Sequence, residues 1–569
     1  MGWLTQERPQ VDYATWARGS FSEKIKPMAR HWAEVGFGTP VVLHLFYVAK
    51  ICLYILGGLL IAVATPGIGG ITDVGSWYDE PIVFQKVVLY TMLVEVVGLG
   101  CAFGPLNNRY YPPFGSILYW LRPRTIRQPP WPTRVPLTRG DERTPIDVAL
   151  YAALLVLICI ALSSGGAAAG LLPTWQVWAI LGVLAALGLR DKTIFLAARG
   201  EVYGAFTVTF LFTATDLILA AKLVCLAIWI GAATSKLTRH FPYVLSTMMS
   251  NNPLLRTKRL KRSFFRSFPD DLRPGWRARG IAHLSTAIEG LVPVVLFFSG
   301  ETALATIALV LMLIFHFGIL SAIPMGVPLE WNVFMMFAAV ALFAGHGDVG
   351  LGDIEHPWIL ALLAVQVTIV VVGNLSPRRV SFLPGMRYYA GNWDTSLWCM
   401  KASASAKLEA GIVSIAAVPA SQLERIYGGL EGAHMAMFSG YAFRAFNTHG
   451  KALFTLSHRA RAGQDEADYV LTDGERICSM AMGWNFGDGH LSDEQLLGSL
   501  QRRCAFEPGE VRVVMLEAQP LHRQRQRYRI VDAATGEFER GHVLVADMVD
   551  RQPWDDDIPV TVTSSGSAR

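Results

Sequence analysis

The sequence predicts an all-α polytopic membrane bundle of about ten transmembrane helices, followed by a small α+β domain that folds in water. Three observations carry that prediction. Hydrophobic residues make up 52% of the 569-residue chain and charged residues only 17%, against about 45–50% and about 25% in soluble proteins. Apolar runs long enough to cross the hydrocarbon core, which takes about 20 residues, recur up to residue 375. Beyond Asn374 they stop, and the composition becomes that of a globular domain.

Taken in order, residues 1–39 are mixed and polar (Arg8, Arg18, Lys24, Lys26, Arg30), unlike a secretory signal, and read as a cytosolic or interfacial segment that is kept. Residues 40–375 form the transmembrane domain, with spans at 40–64, 86–106, 146–171, 175–190, 279–299, 301–322, 328–346 and 356–375. Between them, 193–235 holds two apolar runs interrupted by Arg199, Glu201, Asp216 and Lys222. Loop charge arbitrates, because Lys and Arg beside crossings stay on the cytoplasmic side. The segments 107–143 and 235–279 are strongly basic, whereas 65–85 and 347–356 carry Asp73, Asp79, Glu80, Asp348, Asp353 and Glu355. Both basic loops face the cytosol only if 193–235 crosses twice, which gives ten crossings in the plasma membrane with both termini inside.

Residues 376–554 read as the soluble α+β domain and 555–569 as a flexible tail. Val511–Glu517 and Arg527–Val531 alternate in the strand period, and Asp532–Gly536 reads as a hairpin turn. Leu491–Cys504 reads as an amphipathic helix capped by Ser492. The seven cysteines have no paired spacing and read as small hydrophobes. With a net charge of only +5, crowded into loops beside apolar runs, the basic residues suit anionic lipid headgroups rather than nucleic acid. Arg122, Arg124, Arg127, Lys258, Arg259, Lys261 and Arg262 are the candidates, and Pro112–Pro136 reads as an interfacial anchor with large aromatics. Tyr388, Tyr389, Trp393 and Trp398 read as interfacial aromatics.

An ionisable group inside an apolar segment needs a partner or a water-filled cavity, and each is a functional candidate. Here they include Glu201, Asp216, Lys222, Lys236, Glu289 and His316. Asp216 and Lys222 read more simply as a structural pair. The sharper cluster is Gly231–Pro242, where Lys236 closes an apolar helix and His240 follows four residues later. An apolar setting disfavours the ammonium and makes a lysine a usable base or nucleophile; the plainer reading is a helix end beside phosphate headgroups. In the soluble domain, the Gly-rich turn Gly483–His490 carries Asp488 and His490. One Asp and one His fall short of the three ligands zinc normally takes, so no metal site is assigned, and Asp488 reads most simply as a helix cap.

The run Lys222–Leu237 resembles the signature helix of the horizontally transferred transmembrane superfamily, which includes vitamin K-dependent gamma-carboxylase. In that superfamily a helix ending in an "aGxxKL"-like motif carries a lysine that acts in catalysis in the carboxylase, and Lys236 matches it. Phe315-His316-Phe-Gly-Ile, followed by Pro324-Met-Gly and Asn332-Val-Phe-Met-Met, is similar to the helix with a buried histidine and the opening of the next helix. Glu201-Val-Tyr-Gly stands where the superfamily tends to have an Asn-His-Tyr-Tyr-like segment. The resemblance covers roughly 40–375, and the whole chain further resembles an actinobacterial membrane-protein family with no assigned function. What it implies is a membrane-embedded enzyme acting on a quinone, polyprenyl or fatty-acyl compound, with Lys236 as base or nucleophile and His240, His316 and Glu201 supporting proton movement. A non-catalytic protein that binds or moves lipid, or scaffolds a cell-envelope complex, is the alternative. Partners are membrane lipids, with a membrane complex or a homo-oligomer open; no nucleotide loop or dinucleotide fingerprint names a cofactor.

Overall fold

The computed structural model describes residues 3–100, 115–166, 168, 170–322, 329–380, 387–485 and 488–565. Its helices begin with α1 (Phe21–Val35), α2 (Val41–Val63), α3 (Pro81–Val96), α4 (Pro145–Ser163), α5 (Thr174–Arg190), α6 (Lys192–Ala197) and α7 (Tyr203–Thr209). They continue with α8 (Ala214–Ser235), α9 (Phe241–Asn251), α10 (Trp276–Phe298), α11 (Ala303–Leu320), α12 (Leu329–Ala339) and α13 (Trp358–Leu375). Six of these, α2, α4, α8, α10, α11 and α13, are long and apolar enough to cross a membrane; α5 and α12, the latter extended by a π-helical turn to Ala344, are shorter apolar helices. The most apolar stretch of α8 is 89% buried, against 17–28% in the other five, so α8 is the axis around which the bundle is built.

The region 193–235 supplies one span-length helix, α8, rather than two. Its first half is the six-residue α6 and the seven-residue α7, joined through Arg199, whose φ of +50° breaks the helical path. The ends of that half nonetheless lie at opposite ends of the bundle. Lys192 Nζ sits 2.7 Å from Asp493 of the carboxy-terminal domain, and the Thr213 hydroxyl donates to Glu355 at 2.6 Å. The acidic loops share the Glu355 end, where His346 meets the Asp79 carbonyl at 2.8 Å. Both basic loops share the other end with the carboxy-terminal domain, through Gln128 on the Leu491 carbonyl at 2.8 Å and Arg273 on Asp550 at 2.8 Å.

After a short hairpin, β1 (Phe265–Ser267) and β2 (Asp271–Pro274), the domain folds around one antiparallel sheet with strands β3 (Thr395–Lys401), β4 (Tyr469–Asp473), β5 (Val511–Leu516), β6 (Arg525–Asp532), β7 (Gly536–Leu544) and β8 (Val560–Ser565). Their order is β4-β3-β5-β6-β7-β8. Period-two alternation sends Leu397, Cys399, Val514, Leu516, Tyr528 and Ile530 to one face, against α1, α15 (Leu430–Phe446) and α16 (Thr448–Arg461), with α14 (Pro419–Tyr427) packed on α15 through Leu423 and Ala433. Trp398, Met400, Val511, Val513 and Val531 go to the other, against α17 (Gly474–Met482) and α18 (Glu494–Cys504), in a core continuous with the bundle. The amino-terminal segment therefore buries Trp16, Phe21, Ile25 and Trp32 in the carboxy-terminal domain.

The hairpin turn forms at Asp532–Gly536, where Asp532 Oδ1 accepts from the Ala534 and Thr535 amides and Gly536 takes φ +88°. The cap of α18 is Asp493, not Ser492: its carboxylate accepts from the amides of Gln495 and Leu496, while the Ser492 hydroxyl is held inward by the Trp398 indole at 2.6 Å and Ser396 at 2.8 Å. Trp398 and Trp393 are buried rather than interfacial. Val560–Ser565, within the stretch expected as a flexible tail, pair with β7 as the edge strand β8.

The aromatic loop expected to lie among lipids also has another partner. Its residues before 115 lie outside the described structure; from Gly115 it forms a short helix to Trp120. Ser116, Tyr119 and Trp120 donate to the carbonyls of Gly483, Ala481 and Met482 at 2.9, 2.6 and 2.9 Å. Those carbonyls belong to the end of α17, where a helix leaves acceptors without intrahelical donors. The loop thus docks the carboxy-terminal domain, helped by Asp141, which meets Arg502 and Arg503 of α18 at 2.8 and 2.6 Å.

Candidate functional site

Beside the carboxy-terminal turns of α8 lies a cavity of about 320 Å³ whose wall includes Trp229, Lys236, Phe241, Leu245, Glu289 and His316. α8 and α10 meet through small residues: a Cβ added at Gly290 would lie 3.3 Å from Ala233. This close approach, the usual device for packing helices in lipid, lets Lys236 reach across. Its ammonium forms an ion pair with Glu289, both side chains buried. The same ammonium stands 5.2 Å from the Phe241 ring and 5.8 Å from the Phe315 ring, within the range of cation–π attraction.

His316, on α11, is fixed from both sides. Indole nitrogen is only a donor, so Trp229 Nε1–H donates to His316 Nε2 at 2.9 Å, and Nδ1–H donates to Asn332 Oδ1 at 2.9 Å. The ring is therefore the neutral Nδ1–H tautomer, and a proton can reach Nε2 only after the Trp229 bond opens. Sequence reasoning brought Lys236, Glu289 and His316 forward but missed Trp229 and the whole of α9, which closes the cavity with Phe241, Leu245, Met248 and Met249. The signal was present, since those residues follow the i, i+4, i+7, i+8 spacing of a helix face.

The other two residues expected to support proton movement do not line the cavity. His240 is buried where bundle and domain meet. Gln519 Nε2 donates to the Arg523 carbonyl at 2.7 Å, so its Oε1 accepts from His240 Nε2–H at 2.6 Å, while the Thr448 hydroxyl donates to Nδ1. Burial pushes His240 down to about 4, leaving it a neutral staple. Glu201 pairs with Arg199 at 3.3 Å, and the Arg199 guanidinium lies 5.5 Å from the Trp331 ring, which does line the cavity.

Asp216 and Lys222 are not partners of each other. Asp216 accepts from the amides of Glu355 and His356, both at 2.9 Å, and from His356 Nδ1 at 2.8 Å. Lys222 donates to the carbonyls of His346 and Val349 at 2.5 and 2.7 Å. Together they hold the acidic-end loop onto α8. Among the described residues, Asp216, Glu355 and His356 are the grouping of ligand atoms tight enough for a metal, within 4.8 Å of one another, but Asp216 is already occupied by three donors. In the carboxy-terminal domain, Phe486, Gly487 and the Asp488 side chain lie outside the described residues, and His490, pushed down to about 4 by burial, stands 3.9 Å from Asp394.

The basic candidates divide. Arg122, Arg124 and Arg259 are exposed. Arg127 is a correction: it is buried, pairs with Asp147 at 3.4 Å and donates to the Arg139 carbonyl at 2.7 Å. Lys261 is another, buried with its ammonium 2.6 Å from the Ser250 carbonyl. Arg127 is held by a carboxylate and several backbone carbonyls and Lys261 by the Ser250 carbonyl, each in place of a headgroup. Lys258 and Arg262 both meet Glu34, Lys258 at 3.6 Å.

Residues 1–563 match the family described as "Transmembrane protein of unknown function (DUF3556)". The chain belongs to that family. No curated protein and no solved structure matches it. Membership makes the chain a transmembrane protein; the family description adds no reaction or ligand.

Proposed function

We propose that the Lys236 cavity holds a lipid-soluble molecule, such as a quinone, polyprenyl or fatty-acyl compound, that reaches it sideways from the bilayer. The carrying observation is the wall itself. Ile281 of α10 and Leu311 and Ile314 of α11 line the cavity and are themselves exposed, on helices whose most apolar stretches are only 28% and 22% buried. A mostly apolar cavity with a few convergent polar groups is the composition of a small-molecule site, and an ion pair kept inside apolar helices points to a polar group on the ligand. Binding or movement of lipid is the reading this geometry favours. The second reading, an enzyme, rests on the Lys236–Glu289 pair: a ligand carbonyl that displaces Glu289 meets an ammonium acid with a carboxylate base beside it.

The finer architecture follows the same reading. Ten crossings are supported by the placement of Lys192 and Thr213 at opposite ends, which makes α6 and α7 together a broken crossing. The basic end is cytoplasmic in this proposal, in the plasma membrane, because both arginine-rich loops gather there. Descent from the horizontally transferred transmembrane superfamily is supported by the meeting of Lys236, His316 and Asn332 around one cavity. The test is mass spectrometry of the lipids copurifying with intact protein and with Lys236→Ala and His316→Ala. A defined lipid in the wild type that is lost in the variants supports binding, and one accumulating as an unmodified precursor supports catalysis. The same lipid set in all three overturns the role of these residues.

A further inference from the structure

Some cations of the segment 235–279 are neutralised by carboxylates. Lys258 and Arg262 are neutralised by Glu34, and Arg273 by Asp271 and Asp550. Arg259, Arg266 and Arg277 instead line an open groove of about 720 Å³, with Thr257, Ser263 and Trp276 among their neighbours and no carboxylate in the wall. Among the described residues none of these three arginines forms an ion pair. The Trp276 indole is 78% exposed at the first turn of α10, the position of an aromatic at a membrane–water boundary. The groove also takes in the amino-terminal turn of this 23-residue helix, which has no side-chain cap, so amide donors and the positive helix end add to the guanidinium charge.

Groove and cavity border the same helix, α10, one turn apart. Ile281, Ser285 and Ile288 line the Lys236 cavity and follow Arg277 by four, eight and eleven positions of α10, which places all four on one side of a helix. At about 1.5 Å per residue, Ile288 lies about 17 Å below Arg277. That face of α10 leads from the groove to the cavity.

We propose that Arg259, Arg266 and Arg277 form the headgroup subsite of the Lys236 cavity, taking the phosphate of an anionic membrane lipid whose chain lies along Ile281, Ser285 and Ile288. The proposal rests on the cavity reading above and adds the ligand's class: a phosphate-bearing amphiphile rather than an uncharged one. Arginine suits a phosphate because its planar fork donates two parallel hydrogen bonds. Among the described residues none of the three meets a carboxylate, and Arg277 lies only against the Trp276 ring at 5.3 Å, which leaves that capacity for a ligand.

The experiment uses the full chain in nanodiscs of equal parts phosphatidylcholine and phosphatidylglycerol with matched chains, and counts retained lipids by native mass spectrometry. Wild type is expected to retain phosphatidylglycerol selectively. The Arg259→Gln, Arg266→Gln, Arg277→Gln triple variant is expected to lose that selectivity by about a hundredfold, since each basic residue near an anionic surface contributes about fivefold. Lys258→Gln with Arg262→Gln, already neutralised by Glu34, is expected to lose little. Ser285→Trp, which fills the chain path, is expected to reduce retention of both lipids. A triple variant as selective as wild type overturns the headgroup subsite even if Ser285→Trp empties the cavity. A triple variant that loses selectivity beside a Ser285→Trp that loses no lipid overturns the link to the cavity, and with it the cavity reading. Inorganic phosphate that displaces phosphatidylglycerol at equal concentration overturns a lipid as the source of the phosphate.

Discussion

The Lys236–Glu289 pair sits in apolar surroundings, where each charge depends on the other. Removing one partner of a buried pair leaves an uncompensated charge and costs about 3–5 kcal/mol, whereas replacing both with apolar residues costs far less. Lys236→Met and Glu289→Leu are therefore each expected to lower the melting temperature in detergent strongly, and the double variant to recover most of the loss. Trp229→Phe removes the indole donor to His316 Nε2 and is expected to cost about 1–3 kcal/mol, readable as a lower melting temperature in detergent. Lys236, Glu289 and His316 were legible because ionisable residues inside apolar runs stand out by composition alone. Trp229 was not, because an indole in an apolar helix is unremarkable until its N–H is seen to need an acceptor 87 residues away in the chain.

Helices that dock the carboxy-terminal domain do so with side-chain donors placed on carbonyls. Tyr119→Phe and Trp120→Ala remove two of the three donors to the end of α17; each is expected to weaken docking by about 1 kcal/mol or more, seen as faster proteolysis around Gly483. His240 makes a second contact between bundle and domain, with Thr448 and Gln519, pH-dependent. It is neutral when docked, with its pKa pushed down to about 4, and free histidine titrates near about 6.5. The undocked state thus binds the extra proton between those values, so docking is fully stable above about pH 6.5 and weakens as pH falls toward 4, by about 1 kcal/mol per pH unit. His240→Gln is expected to flatten that slope. The strands and the Asp532 turn were readable from period-two alternation and turn chemistry. α9 was not read, because the dense positive charge of 235–279 drew the whole segment into a single loop, and the aromatic helix 115–120 was assigned to lipid because its true acceptors lie 362 positions away at the end of another helix.

The molecule as a whole places its two acidic loops at one end and its two basic loops, both with the sheet domain, at the other. Charge counting along the chain anticipated that grouping, since charge near crossings is local information, whereas the breaking of 193–212 into α6 and α7 is set by tertiary packing around Arg199. Fluorescent and alkaline-phosphatase fusions at the two termini are expected to report both in the cytosol; phosphatase activity at either end would reverse the orientation. The central claim is that the bundle holds one lipid molecule beside Lys236. It is tested most directly by native mass spectrometry of the protein released from its own membrane in nanodiscs, wild type against Ser285→Trp. One defined lipid retained by the wild type and missing from the variant is the expected result. The same lipids at the same occupancy in both would contradict it.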